Sequence, residues 1–120
     1  MDCIFCKIIE GEIPSYTIYE DDIVKCFLDV NPNANGHTLI VPKKHYTDIQ
    51  DIDIDTLKHI NKVSQVLYQI LYEKLNFLGL RVVQNNGIYQ DIKHYHMHLI
   101  PAYKDKELLD VKEVYEIIKK

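Results

Sequence analysis

Three histidines alternate with apolar residues in His94-Tyr95-His96-Met97-His98-Leu99-Ile100-Pro101. Imidazole titrates close to neutral pH, so it can serve as base, nucleophile, hydrogen-bond donor or metal ligand. Read as a strand over 94–100, the segment sends all three rings to one face, because successive side chains alternate. At about 3.3 Å per residue, His94 and His98 then stand roughly 13 Å apart. One metal ion, with Zn–N bonds of about 2.0–2.1 Å, cannot take all three. The row therefore implies a division of labour. Mutual repulsion also predicts that most of these rings are neutral near neutral pH.

A second cluster is Cys3-Ile4-Phe5-Cys6. The C-x-x-C spacing suits zinc, but a tetrahedron needs two further ligands. His45 and one end of the histidine row can supply them. A redox role would expect a βαβ context, which the pattern lacks. The competing reading is that both thiols are simply buried. Cys26, inside an apolar run, reads as a small buried hydrophobe. His37, taken alone, reads as a hydrogen-bonded structural histidine, and His59 as a solvated one. Tyr68 and Tyr72 fall at helical i, i+4 spacing and read as packing. Asn85-Asn86-Gly87 with Gln90-Asp91 is either an ordinary turn or an anion cradle of amides and backbone N–H groups. Lys43-Lys44 reads as solvated surface.

These groups need elements to position them. Ile4, Phe5, Ile8 and Ile9 repeat at helical spacing, and Gly11 and Pro14 end that short helix. Tyr16 to Glu20 and Ile23 to Leu28 read as strands joined at Asp21-Asp22. Residues 31–36 form a loop by composition. His37 to Val41 is an apolar strand closed by Pro42. Leu57, Ile60, Val63, Leu67, Ile70 and Leu71 mark one stripe of a long helix capped by Asp53 or Asp55. Leu80 to Val83 is a strand before the Asn85-Asn86-Gly87 turn. A closing amphipathic helix is expected over about 107–119. The sum is an α+β domain on an antiparallel sheet of about five strands, spanning 1–120 as a single unit.

Composition narrows the partners. The chain has 120 residues, 47% of them hydrophobic, and a formal net charge of −4. Its pI is near 5.8. That length buries roughly two-thirds of the unfolded surface, enough for a real core. No basic stripe suited to a nucleic-acid polymer is visible. A small phosphorylated ligand needs only a local cradle. No apolar run reaches the roughly 18 residues of a membrane span, and no secretory leader pattern opens the chain. Three cysteines fit a reducing, cytoplasmic location better than a disulfide scaffold.

His94-x-His96-x-His98-Leu99-Ile100 resembles the histidine-triad signature. Other segments match alongside it, in order: Ile4-Phe5-Cys6-Lys7-Ile8-Ile9, Ile13-Pro14, Tyr19-Glu20-Asp21-Asp22, Phe27-Leu28-Asp29, Gly36-His37-Thr38-Leu39-Ile40-Val41-Pro42-Lys43-Lys44-His45 and Asn85-Asn86-Gly87. The chain thus resembles the histidine-triad (HIT) superfamily, in its small Hint-like branch of prokaryotic type, from about Cys3 to Tyr103. The resemblance implies a HIT-like fold and nucleotidyl hydrolysis or transfer on nucleoside phosphoramidates and related purine nucleotides such as AMP. It implies that His96 is the nucleophile, forming a nucleotidyl-imidazole. His98 becomes a phosphate-oxygen ligand, and His37 a phosphate-side histidine near the leaving group. Asn85 becomes an α-phosphate contact with Gln90 beside it, and Asp29 the ribose carboxylate. Ile4, Phe5, Ile8 and Phe27 become the base pocket.

The resemblance further implies a homodimer with joined sheets and no catalytic metal. It implies a structural zinc on Cys3, Cys6, His45 and His94, which fixes His94 beside the nucleophile; relatives without the cysteines let the two histidines hydrogen-bond instead. Two departures stand out. The Gly87-to-His94 loop is shorter than the common Hint pattern. Asp91 stands where eukaryotic Hint members carry serine, and a carboxylate there repels the substrate unless it is turned away or paired. The alternatives are a metal-dependent hydrolase that uses the histidine strand as ligands, and a non-catalytic nucleotide-binding module.

Overall fold

Alternation along the strands dictates two apolar faces, and both are covered. The computed structural model describes residues 3–120. Helix α1 (Ile4–Ile9) leads into strands β1 (Thr17–Glu20), β2 (Val24–Leu28) and β3 (Thr38–Pro42). Helix α2 (Ile54–Leu75), strands β4 (Gly79–Gln84) and β5 (Met97–Ala102), and helix α3 (Val111–Lys119) follow. The sheet order is β1-β2-β3-β5-β4, with every neighbouring pair antiparallel. The expected α+β architecture with five strands and three helices is therefore the observed one.

Val24, Cys26, Leu28, Ile40, Met97 and Leu99 face the α2 stripe of Ile60, Val63, Leu67 and Leu71, with Val114 and Ile118 of α3. On the opposite face Phe27, Leu39 and Val41 meet Cys3, Phe5 and Ile8 of α1. β3 is buried along its whole length because both layers cover it. Cys26 is wholly buried, as its apolar surroundings suggested. Asp53 is the α2 N-cap, accepting from the Thr56 amide at 3.2 Å.

Two boundaries depart from the periodic pattern. The strand expected over 94–100 begins only at Met97, and His94 lies on a bend. The Tyr95 amide is drawn to the Tyr46 carbonyl at 2.7 Å, outside the sheet ladder. α3 starts at Val111 instead of about 107, because the Asn35 side chain holds this approach. Its oxygen accepts from the Leu109 amide and its nitrogen donates to the Glu107 carbonyl. Asp110 then caps the helix. His59 is not merely solvated: its Nε2 lies 2.7 Å from Asp21 Oδ2, tying α2 to the β1–β2 turn. Among the described residues no helix is long and apolar enough to cross a membrane.

Candidate functional site

Four side chains from three separated segments converge beside α1. Cys3 caps that helix, its sulfur accepting from the Cys6 amide. Cys3 Sγ lies 3.3 Å from His94 Nδ1, and Cys6 Sγ lies 3.3 Å from His45 Nδ1 and 3.6 Å from His94 Nδ1. All four ligand atoms fall within 4.8 Å of one another. His94 Nε2 donates to the Pro42 carbonyl at 2.8 Å, which turns the lone pair of Nδ1 toward the sulfurs. Burial pushes the His94 imidazole down to about 4, against the Pro42 hydrogen bond. Burial, helped by Cys3, pushes the Cys6 thiol up to about 11. Two thiols and two imidazoles are a donor set that fits zinc, whose binding deprotonates the thiols.

The remaining rings form a second, polar chain. His96 Nδ1 donates to the His94 carbonyl at 2.7 Å, so the neutral ring carries its lone pair on Nε2. His37 Nδ1 accepts from the Asn33 amide at 3.1 Å, so its proton sits on Nε2. That Nε2 lies 2.9 Å from His98 Nδ1, which must accept, leaving the His98 proton on Nε2. Two backbone groups thereby assign three tautomers: His96 presents a lone pair and His98 presents a donor. The His96 and His98 ring centroids are 4.8 Å apart. Burial holds His98 down at about 4, aided by His96 and His37. Burial likewise lowers His37, against the opposing Asp29 charge. For His37 and His98, burial more than mutual repulsion favours the neutral ring. Asp29 Oδ2 lies 3.6 Å from His37 Nε2, and its Oδ1 accepts from the Asn31 amide at 2.9 Å.

The other candidates divide. Phe5 packs edge-on against Phe27, His94 and His96, and Phe5, Ile8 and Phe27 are buried together. Ile4 departs from that group at 45% exposed, because it occupies the outer side of a single-layer helix. Asn85 follows the last residue of β4 and accepts from Gln84 Nε2 through its carbonyl at 2.9 Å. Gln90 is 7% exposed and sends its amide nitrogen to the Thr47 carbonyl at 2.7 Å, while its Oε1 has no partner among the described residues. Asp91 is neither turned away nor tightly paired: its Oδ1 lies 3.6 Å from His96 Nε2 on a side chain that is 79% exposed. Sequence reasoning missed Asn33 and the Pro42 carbonyl. Both act through backbone atoms, which leave no side-chain signal.

A sheet with His96 just before β5 and His98 within it, and His37 from the loop before β3, defines the class of site. Residues 10–105 match the family described as the HIT domain, and the chain belongs to that family. It is 45% identical over 118 residues to a HIT-like protein of Methanocaldococcus jannaschii, covering 96% of this chain and 91% of that one. It is 40% identical over 111 residues to the adenosine 5'-monophosphoramidase HNT1 of Saccharomyces cerevisiae, covering 91% of this chain and 68% of the yeast protein. A zinc-bound histidine triad protein from Mycobacterium smegmatis superposes with a TM-score of 0.90 at 31% identity, covering 99% and 91% of the two chains.

Proposed function

We propose that this protein hydrolyses or transfers nucleotidyl groups, acting on nucleoside phosphoramidates and related purine nucleotides through a covalent intermediate on His96. The observation that carries the reading is the His96 ring held by Nδ1 on the His94 carbonyl, which leaves Nε2 to present the lone pair as nucleophile. The relative named adenosine 5'-monophosphoramidase supports the substrate class. The leaving nitrogen takes a proton from solvent, the Nε2 lone pair attacks phosphorus, and the phosphorus–nitrogen bond breaks with its electron pair going to the amine. The neutral amine departs and takes a second proton from solvent afterwards. Water then attacks the nucleotidyl-imidazolium, loses a proton and releases the monophosphate with His96 restored. Splitting one displacement into two is what a covalent nucleophile contributes. His98, with its proton on Nε2, donates to a phosphoryl oxygen, and Asn85 is its proposed companion there. Such preorganised donors stabilise developing charge without reorganisation. Asp29 takes the ribose hydroxyls, and Phe5, Ile8 and Phe27 with Ile4 form the wall for the base. Gln90 holds the loop against Thr47.

The metal-hydrolase alternative finds a candidate in Asp29, His37 and His98, whose ligand atoms cluster within 4.8 Å. The Asn33 amide disfavours it, since it leaves the proton on the His37 nitrogen that would have to bind the ion. Zinc is instead proposed on Cys3, Cys6, His45 and His94, where it stabilises the fold and steadies the backbone that orients His96. Thiols kept free for zinc suit a reducing compartment such as the cytoplasm. A homodimer is supported by the unpaired outer edge of β4 and by the exposed Tyr68, Tyr72 and Val82.

The test is His96→Ala. Turnover of adenosine 5'-phosphoramidate should vanish while AMP still binds by calorimetry, and acid quench of the wild type should trap adenylylated protein. Activity within tenfold of wild type in the variant would sink the assignment.

A further inference from the structure

Asp91 places a carboxylate oxygen 3.6 Å from His96 Nε2. Reacting atoms begin about 3–3.5 Å apart, so a bound phosphorus and this oxygen compete for the same neighbourhood. The side chain is exposed and can swing, but its backbone is held. Gln90 is anchored on Thr47, the Lys93 ammonium folds back onto the Gly87 carbonyl, and the Tyr95 amide is bonded to Tyr46. With its backbone held, the carboxylate displaced by phosphorus remains within a side-chain length of the reacting centre. Of the neighbouring side chains, Lys93 sends its ammonium to the Gly87 carbonyl, and Gln90 has its nitrogen committed to Thr47 and Oε1 unpartnered among the described residues.

We propose that Asp91 is a specificity-determining residue that favours substrates whose leaving nitrogen is protonated as the phosphorus–nitrogen bond breaks, and disfavours leaving groups that depart as sulfate or phosphate. The inference rests on the reading that His96 Nε2 attacks phosphorus. The nitrogen takes a proton from solvent before the phosphorus–nitrogen bond breaks and is cationic beside the carboxylate; it then keeps the electron pair, departs as the neutral amine and takes a second proton from solvent afterwards. When a phosphorus–oxygen bond to sulfate breaks, the charge that develops is negative and is repelled. Repulsion of the α-phosphoryl oxygens is common to both substrates and cancels in their ratio. Solvent screening at so exposed a side chain keeps the effect moderate.

The experiment compares kcat/KM for adenosine 5'-phosphoramidate and adenylyl sulfate in wild type, Asp91→Asn, Asp91→Ser and Asp91→Glu. The wild type should favour the amidate. The Asn and Ser variants should shift the ratio toward sulfate by roughly tenfold, and Glu should keep the wild-type preference. High salt should narrow the gap in the wild type only. A ratio within twofold of wild type in both neutral variants would overturn the inference while leaving the His96 chemistry intact. So would a wild-type preference for sulfate, as expected if Arg81, Lys104 and Lys106, which line a cleft beyond Ile100, govern the leaving group instead. A wild type that turns over neither substrate overturns the proposed function and this inference together.

Discussion

Asp29 has one oxygen engaged by the Asn31 amide and the other near His37. On the proposed function the second oxygen is what a ribose hydroxyl meets. Asp29→Ala should weaken AMP binding by about 1.5–3 kcal/mol, the usual worth of a hydrogen bond to a charged group. Calorimetry checks this, and the remaining turnover should still pass through His96. A different carboxylate contributes to acid stability. Burial alone would raise Asp21, but hydrogen bonds from Val24, His59, Ile23 and Tyr19 outweigh it and hold the carboxyl at about 2. An unfolded aspartate titrates near 3.9, so the folded state prefers the ionised form. That stabilisation is complete above about pH 4 and is lost as pH falls through the folded value near 2. Urea denaturation at neutral pH and at about pH 3 should show a smaller acid loss for Asp21→Asn than for wild type. An equal loss would remove Asp21 from the acid limb.

At the scale of elements, the entry to β3 depends on one glycine. Gly36 has φ +88, and a Cβ built there would lie 2.5 Å from Leu75 Cδ1 of α2. The positive φ turns the chain so that His37 enters beneath the Asn33 amide, while the Thr38 hydroxyl donates to the Gly36 carbonyl. Gly36→Ala combines backbone strain with crowding against α2 and should cost about 1–3 kcal/mol. Denaturant midpoints measure that cost. Turnover should fall as well, because the misplaced element carries the ring that assigns the His98 tautomer.

For the whole molecule, the two cysteines of α1 and the histidines at 45 and 94 link the N-terminal helix, the β3 exit and the β5 approach. Metal binding that depends on a folded arrangement adds to folding stability. Protein purified without chelator or metal-affinity resin should contain near one equivalent of zinc by elemental analysis. Cys6→Ala should lose the metal and melt earlier, while His96 chemistry persists at low temperature. The exposed Tyr68, Tyr72 and Val82 flank the open β4 edge. Light scattering should return twice the 14.2 kDa chain mass at micromolar concentration, and Tyr72→Glu should shift it toward the monomer.

Much of this was legible in the chain itself. The α2 stripe, the alternation of β2 and the turn residues between strands report locally on what each segment must bury, so the α+β class follows from period and punctuation. The C-x-x-C pair and the histidine row also declare their chemistry by residue type. Convergence of Cys3, Cys6, His45 and His94 is different, because it depends on sheet order, and β5 lies between β3 and β4. A regular strand through His94 was the simplest local reading. Hydrogen bonds to Pro42 and Tyr46 from distant segments bent that stretch instead. The tautomers of His96, His37 and His98 were decided only in the folded molecule. They are assigned by the His94 carbonyl and the Asn33 amide, main-chain groups that every residue carries and that only tertiary structure can aim.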